Sequence, residues 1–188
     1  MSASRTVEEP GMGTLEVWDL PTDQDTLEAL LRRVFVCYWD RIHFGVLIQG
    51  AVLEIRAPRA PHFGMLDGYL TIDFEEWHMH VCIGATTGPP GNPTDEQAAR
   101  IRPTARAELY RALRGPGCTP ATWGLRLLNG ANEQQLTVLL PNPFLTPDQH
   151  IRAEPDWDQL DAWDDLRATF LGLEPDPLDR TGTDLHHG

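Results

Sequence analysis

The stretch TWGLRLLNGANEQQLTVLLP, residues 122–141, commits the chain to antiparallel β-structure. Apolar and polar residues alternate on both sides of Asn129-Gly130. An Asn-Gly pair between two alternating runs marks a hairpin whose turn calls for positive backbone dihedrals.

Around this hairpin the periodicity changes from segment to segment. GTLEVWDL (13–20) reads as a first strand ended by Pro21, and Thr22 with its neighbouring aspartates supplies a helix cap. Leu27, Leu30, Leu31, Val34, Tyr38 and Ile42 then recur at helical spacing, which predicts a helix over 23–43 stopped by Gly45. GVLIQGAVLEIRA (45–57) is β-rich and PRAPHFGMLDG (58–68) is a Pro/Gly connection. YLTIDFEEWHMHVCIG (69–84) reads as one long strand, or as two pieces joined near Asp73 to Glu76. Thr94, followed by Asp95, Glu96 and Gln97, starts a second helix that reaches Leu113 with Pro103 inside it. A third runs near Trp157 to Leu171, with Trp163, Leu166 and Phe170 on one face.

The order β-α-β-β-α-β-β-α is the split βαβ pattern. It predicts an α+β fold, an antiparallel sheet with helices on one face. This is a ferredoxin-like sandwich variant with an added hairpin strand and a C-terminal helix. The expected organisation is a disordered N-terminus (1–12), one domain (13–173) and an acidic Pro/Gly-rich tail (174–188).

Composition narrows the chemistry. The net charge of −13 argues against a nucleic-acid or anionic-membrane partner, since phosphate binding needs concentrated positive charge. All fifteen basic residues are arginine, which excludes Schiff-base chemistry and a phosphate-loop lysine. Serine occurs only at Ser2 and Ser4, so a GxSxG nucleophile elbow is absent. No apolar run approaches the length of a membrane span, and Cys37, Cys82 and Cys118 form no CxxC. The expectation is a cytoplasmic protein with reduced thiols.

The chemically richest segment is EEWHMHVCIG (75–84). In a strand, His78, His80 and Cys82 share one face while Trp77, Met79, Val81 and Ile83 share the other. Imidazole and thiolate are ligands for zinc, iron or cobalt, and residues at i and i+2 stand about 6–7 Å apart at the backbone. His62 is the distant third ligand, with His43 and the tail pair His186-His187 as weaker ones, and Glu76 is the acid/base of a metal-dependent reaction. The bland alternative is a polar strand face. Arg56 and Arg126 are guanidinium forks for an anionic substrate, or partners for the chain's own acids. Trp77 and the other tryptophans, six in all, suit core packing or a flat aromatic ligand.

WHMHVCIG (77–84) and WGLRLLNGANEQQLTVLLPNPFL (123–145) resemble a group of uncharacterised bacterial proteins, as do WDRIHFG (39–45), MLDGYLTIDF (65–74) and the DRTG…HG ending. The resemblance spans nearly the whole chain and implies a single-domain family. Members carrying a sirohydrochlorin-type cobalt-chelatase label imply a metal handled above a tetrapyrrole, roles that fall on His78, His80 and Glu76.

Three functions follow. The first is a divalent-metal protein acting on a small anionic or aromatic molecule. The second is a non-catalytic module that binds a partner or a second copy of itself as a homodimer. The third is a haem- or tetrapyrrole-handling protein with a histidine on the metal.

Overall fold

The computed structural model describes residues 3–48, 50–114 and 118–182. Its strands are β1 (Arg5–Glu9), β2 (Gly13–Leu20), β3 (His43–Gly45), β4 (Leu47–Ile48), β5 (Ala51–Val52), β6 (His62–Leu66), β7 (Tyr69–Asp73), β8 (His78–Cys82), β9 (Thr104–Arg114), β10 (Thr119–Asn129) and β11 (Gln134–Leu139). Its helices are α1 (Gln24–Cys37), α2 (Glu96–Ile101) and α3 (Asp161–Leu171). The strands form a six-stranded sheet of order β1-β2-β9-β10-β11-β3, a β4-β5 ribbon and a three-stranded sheet β6-β7-β8. The class is α+β, with antiparallel pairing at β1-β2, β4-β5, β6-β7 and β7-β8 and a C-terminal helix.

The described chain forms two compact units, and β9 and β10 each contribute residues to both. One unit draws on Met1–Leu20, Glu108–Leu125 and Leu139–Gly188. Leu15, Val17, Tyr110 and Ala112 form a buried cluster there, with Val7 and Met12 packed against it. Residues 5–9, expected as part of a disordered N-terminus, pair with β2 from Arg5 opposite Val17 to Glu9 opposite Gly13. The Pro/Gly-rich tail also has a buried anchor. Asp179 has no solvent exposure; its Oδ1 accepts from Arg111 Nη1 (2.8 Å) and Trp123 Nε1 (2.7 Å), and its Oδ2 from Trp163 Nε1 (2.8 Å). Burial works against the Arg111 cation, but Asp179 and Glu16 more than offset it and raise its pKa. The Arg111 and Arg167 guanidinium carbons each lie 5.3 Å from the Trp18 ring centroid, close enough for cation–π attraction.

The other unit comprises Pro21–Ala107 and Arg126–Val138. Asp23 caps α1 by accepting from Thr26 N (2.9 Å), and Leu27, Leu30, Leu31, Val34 and Phe35 are all buried. The helix stops at Cys37 rather than near His43. Tyr38 and Ile42 keep their burial through a turn closed by Ile42 N donating to Tyr38 O, so the i+4 spacing persists without the helix. Phe35, Phe44, Phe74 and Trp77 form an aromatic cluster with centroids 4.3–6.1 Å apart.

The second helix is far shorter than the expected run to Leu113. Asp95 caps α2 through Ala98 N (2.8 Å), but the helix lasts six residues. Pro103 has no N–H to donate, and from Thr104 the chain is strand. TARAELYRALR is rich in helix formers, yet Ala107 through Ala112 are all buried in β9. Burial on both faces outweighs propensity here.

The hairpin at 119–139 is present, with a different turn. Neither Asn129 nor Gly130 has positive φ; Asn132 does, at 63°. Asn129 Oδ1 accepts from Ala131 N and Glu133 N, both at 2.9 Å. Gly130 is required for another reason: it donates to Ile101 O (2.8 Å), and a Cβ there would stand 2.3 Å from Arg100 O.

Candidate functional site

The 69–84 segment is two strands. β7 and β8 pair with Tyr69 opposite Cys82, Thr71 opposite His80 and Asp73 opposite His78. β6 adds His62 opposite Asp73 and Gly64 opposite Thr71, with Leu66 opposite Tyr69. Partner residues in adjacent strands share a face. One face therefore carries three rows: His62, Asp73 and His78; Gly64, Thr71 and His80; Leu66, Tyr69 and Cys82.

Over the second and third rows lies an open, mainly apolar slot of about 630 Å³. The sheet contributes Leu66, Tyr69, Thr71 and His80, and the loop after β8 contributes Thr87, Gly88, Pro89 and Pro90. The volume is within the range of small-molecule sites. Gly64 adds nothing above the sheet, because a Cβ there would meet no atom within 4 Å.

His80 is the slot's imidazole. Its Nδ1 lies 2.8 Å from Thr71 Oγ1, and its ring centroid is 4.8 Å from that of His78. A neutral imidazole that donates from Nδ1 keeps its Nε2 lone pair for a ligand. Cys82 ends the row, but buried. Burial pushes its thiol pKa up, although hydrogen bonds from Tyr69 and the Gly84 backbone act in the opposite sense. Burial likewise raises the Tyr69 phenol.

Asp67 fixes the loop. Asp67 and Gly68 form the two-residue β6–β7 turn, with φ of 47° and 79°. An Asp-Gly pair suits such a turn, because both central residues need positive φ. Its carboxylate accepts from the Thr86 and Thr87 hydroxyls and from Thr87 N and Gly88 N, all at 2.7–2.9 Å. The backbone bonds to Thr87 and Gly88, then the two hydroxyl bonds, hold the carboxyl well below the usual carboxylate range.

The other site residues expected from the sequence lie elsewhere. Glu76 occupies the β7–β8 turn, exposed, with Oε1 3.7 Å from Arg59 Nη2. His62 is 77% exposed and 3.9 Å from Glu75, so it stands clear of the slot. Trp77 packs 4.3 Å from Phe74, Arg56 donates to Asp40 O (3.0 Å), and Arg126 is buried in β10. His43 is half-buried and its pKa is lowered, chiefly by that burial. His186 and His187 lie outside the described residues. Among the described residues, no group of three or more His, Cys, Asp or Glu side chains is placed to hold a metal ion. The sequence reading missed Asp67, Thr71 and the Thr86–Pro90 wall; the Asp67-Gly68 pair was the one local signal for them.

Fold and site define an α+β protein with an apolar surface slot over a histidine-bearing antiparallel sheet. Residues 4–172 match the model of a family of unknown function, DUF7676, and the chain belongs to that family. No curated protein matches it. Among solved structures, the crystal structure of ChuX is similar at a TM-score of 0.45 and 15% identity, over 85% of this chain and 78% of that one. A likeness this low informs neither mechanism nor ligand. No helix among the described residues is long and apolar enough to cross a membrane.

Proposed function

We propose that the chain binds a flat, largely apolar small molecule in the slot, and that this ligand is a metallated tetrapyrrole such as haem, held through His80. The observation that carries the reading is a single imidazole in an apolar slot with Nδ1 engaged by Thr71. A porphyrin-bound iron needs only an axial protein ligand, whereas a structural or catalytic zinc needs three or four. One histidine lining the slot suits the first and falls short of the second. When bound, the tetrapyrrole would supply the metal chemistry; the chain's part is to offer Nε2, orient the ring through Thr71 and cover the apolar face.

The close His78–His80 pair favours a second reading, a two-imidazole handle for a divalent cation. It lacks a third donor among the described residues, and Glu76 stands in a turn rather than beside the pair. Titrations with zinc, with a metal-free porphyrin and with a ferric porphyrin separate the readings. The slot reading expects both porphyrins to bind at one site, the ferric one more tightly, and His80→Ala to remove the difference. Stoichiometric zinc uptake that competes with no porphyrin would overturn it in favour of the handle.

A further inference from the structure

The loop that walls the slot is tied to the sheet by one side chain. Among the described residues, every hydrogen bond from Thr86–Pro90 to the β6-β7-β8 sheet and its turn ends on Asp67. The remaining bonds of this segment, Thr94 N to Thr87 O (2.9 Å), Asn92 N to Pro89 O (3.0 Å) and the Thr86–Thr94 hydroxyl contact (3.3 Å), tie the loop to its own continuation. We propose that Asp67 is the positioning residue of the slot: its carboxylate latches the 86–90 wall in place and so sets how fast ligand leaves. This rests on the reading of the slot as a ligand site.

The local geometry makes the latch specific to a carboxylate. Two oxygens receive four donors, two from backbone and two from hydroxyls. An amide at this position has one acceptor oxygen and presents N–H groups to the remaining donors, so it closes half the latch. The turn aims the group. Asp67 has left-handed φ, and Gly68 O receives Ile83 N and Gly84 N, both at 2.9 Å, which brings the start of the loop under the hairpin. Gly88 lets the wall turn beside the latch: its φ is 78°, and a Cβ there would lie 2.5 Å from Thr94 N. Pro89 and Pro90 follow with fixed φ, so a wall anchored at Gly88 presents two rigid rings to the slot.

The test uses the full chain as wild type, Asp67→Asn and Asp67→Ala. Amide hydrogen exchange at Thr87 and Gly88 is measured without ligand, and ferric-porphyrin dissociation by stopped flow. The expected result is exchange at both amides at least about tenfold faster in Asp67→Ala, with Asp67→Asn intermediate. Porphyrin dissociation should quicken by about tenfold or more while the absorption spectrum of the bound form stays that of wild type. That split separates positioning from ligation, because losing His80 would change the spectrum. Wild-type exchange and dissociation rates in Asp67→Ala would overturn the latch. Should wild-type protein bind no porphyrin, the ligand reading fails, and exchange at Thr87 and Gly88 alone decides whether Asp67 holds the wall. Should Asp67→Ala not fold, Asp67→Asn must show the partial loss at both amides or the proposal fails.

Discussion

Asp179 and Asp67 each gather donors on both carboxylate oxygens, one with no solvent exposure and the other at the rim of an open slot. The partners of Asp179 are two indoles and the buried Arg111, with Arg167 3.6 Å away. Those of Asp67 are the backbone and hydroxyls of one loop. A buried carboxylate whose partners are large core side chains is bound up with global stability, since removing it leaves buried donors unsatisfied in a low dielectric. A surface carboxylate whose partners are loop amides fixes one segment and leaves the remainder of the fold unaffected. The same chemical device thus serves folding in one unit and site geometry in the other.

The largest effect expected from this contrast is at Asp179. Asp179→Ala should cost about 2–4 kcal/mol of unfolding free energy by denaturant titration, because it leaves two buried indole N–H groups without their acceptor and removes one of the carboxylates on Arg111, which keeps Glu16 and Asp176. Porphyrin affinity per folded molecule should stay unchanged. A loss below 1 kcal/mol, on the order of an exposed pair, would erase the distinction.

Gly68→Ala is the next largest. It forces a Cβ onto a residue with φ of 79° and places it 2.4 Å from Ala85 O. The dihedral alone should cost about 1–2 kcal/mol, and the slot wall should loosen as it does in Asp67→Ala. A stable Gly68→Ala protein with wild-type exchange at Thr87 would show that the turn does not aim the latch.

The smallest effect is one of pH. The Asp67 carboxyl is held below its ordinary range, so the stability it contributes is fully present above the unfolded value near pH 4 and is lost only as pH falls through the lower folded one. Protection of Thr87 and Gly88, corrected for intrinsic exchange, should therefore be flat from pH 7 to about 4. Loss of protection between pH 6 and 5 would mean that another group holds the wall.

Elements with one clean period were legible in the sequence: β2, α1 through Cys37, α3 and the strands flanking the 130–133 turn. What was not legible depended on partners distant in the chain. TARAELYRALR looks helical until Glu108 finds Arg5 and Arg111 finds Glu16 and Asp179, at separations of 68–103 residues. The candidate site divides the same way. The alternation in WHMHVC put His78 and His80 on one face, but Thr71 joins His80 only through the β7–β8 register. Asp67 meets Thr86–Gly88 only after 19–21 residues of intervening chain have folded back. Glu76 was misplaced because the regular strand assumed for 75–84 begins at His78, after a turn in which Glu75 has φ of 70°.

Ligation by His80 is read most directly from the absorption spectrum of one equivalent of ferric porphyrin added to tag-free wild type, His80→Ala and His78→Ala. The slot account predicts a saturable, imidazole-ligated spectrum in wild type and His78→Ala, with that ligation lost in His80→Ala. Identical spectra and affinities in wild type and His80→Ala would contradict it.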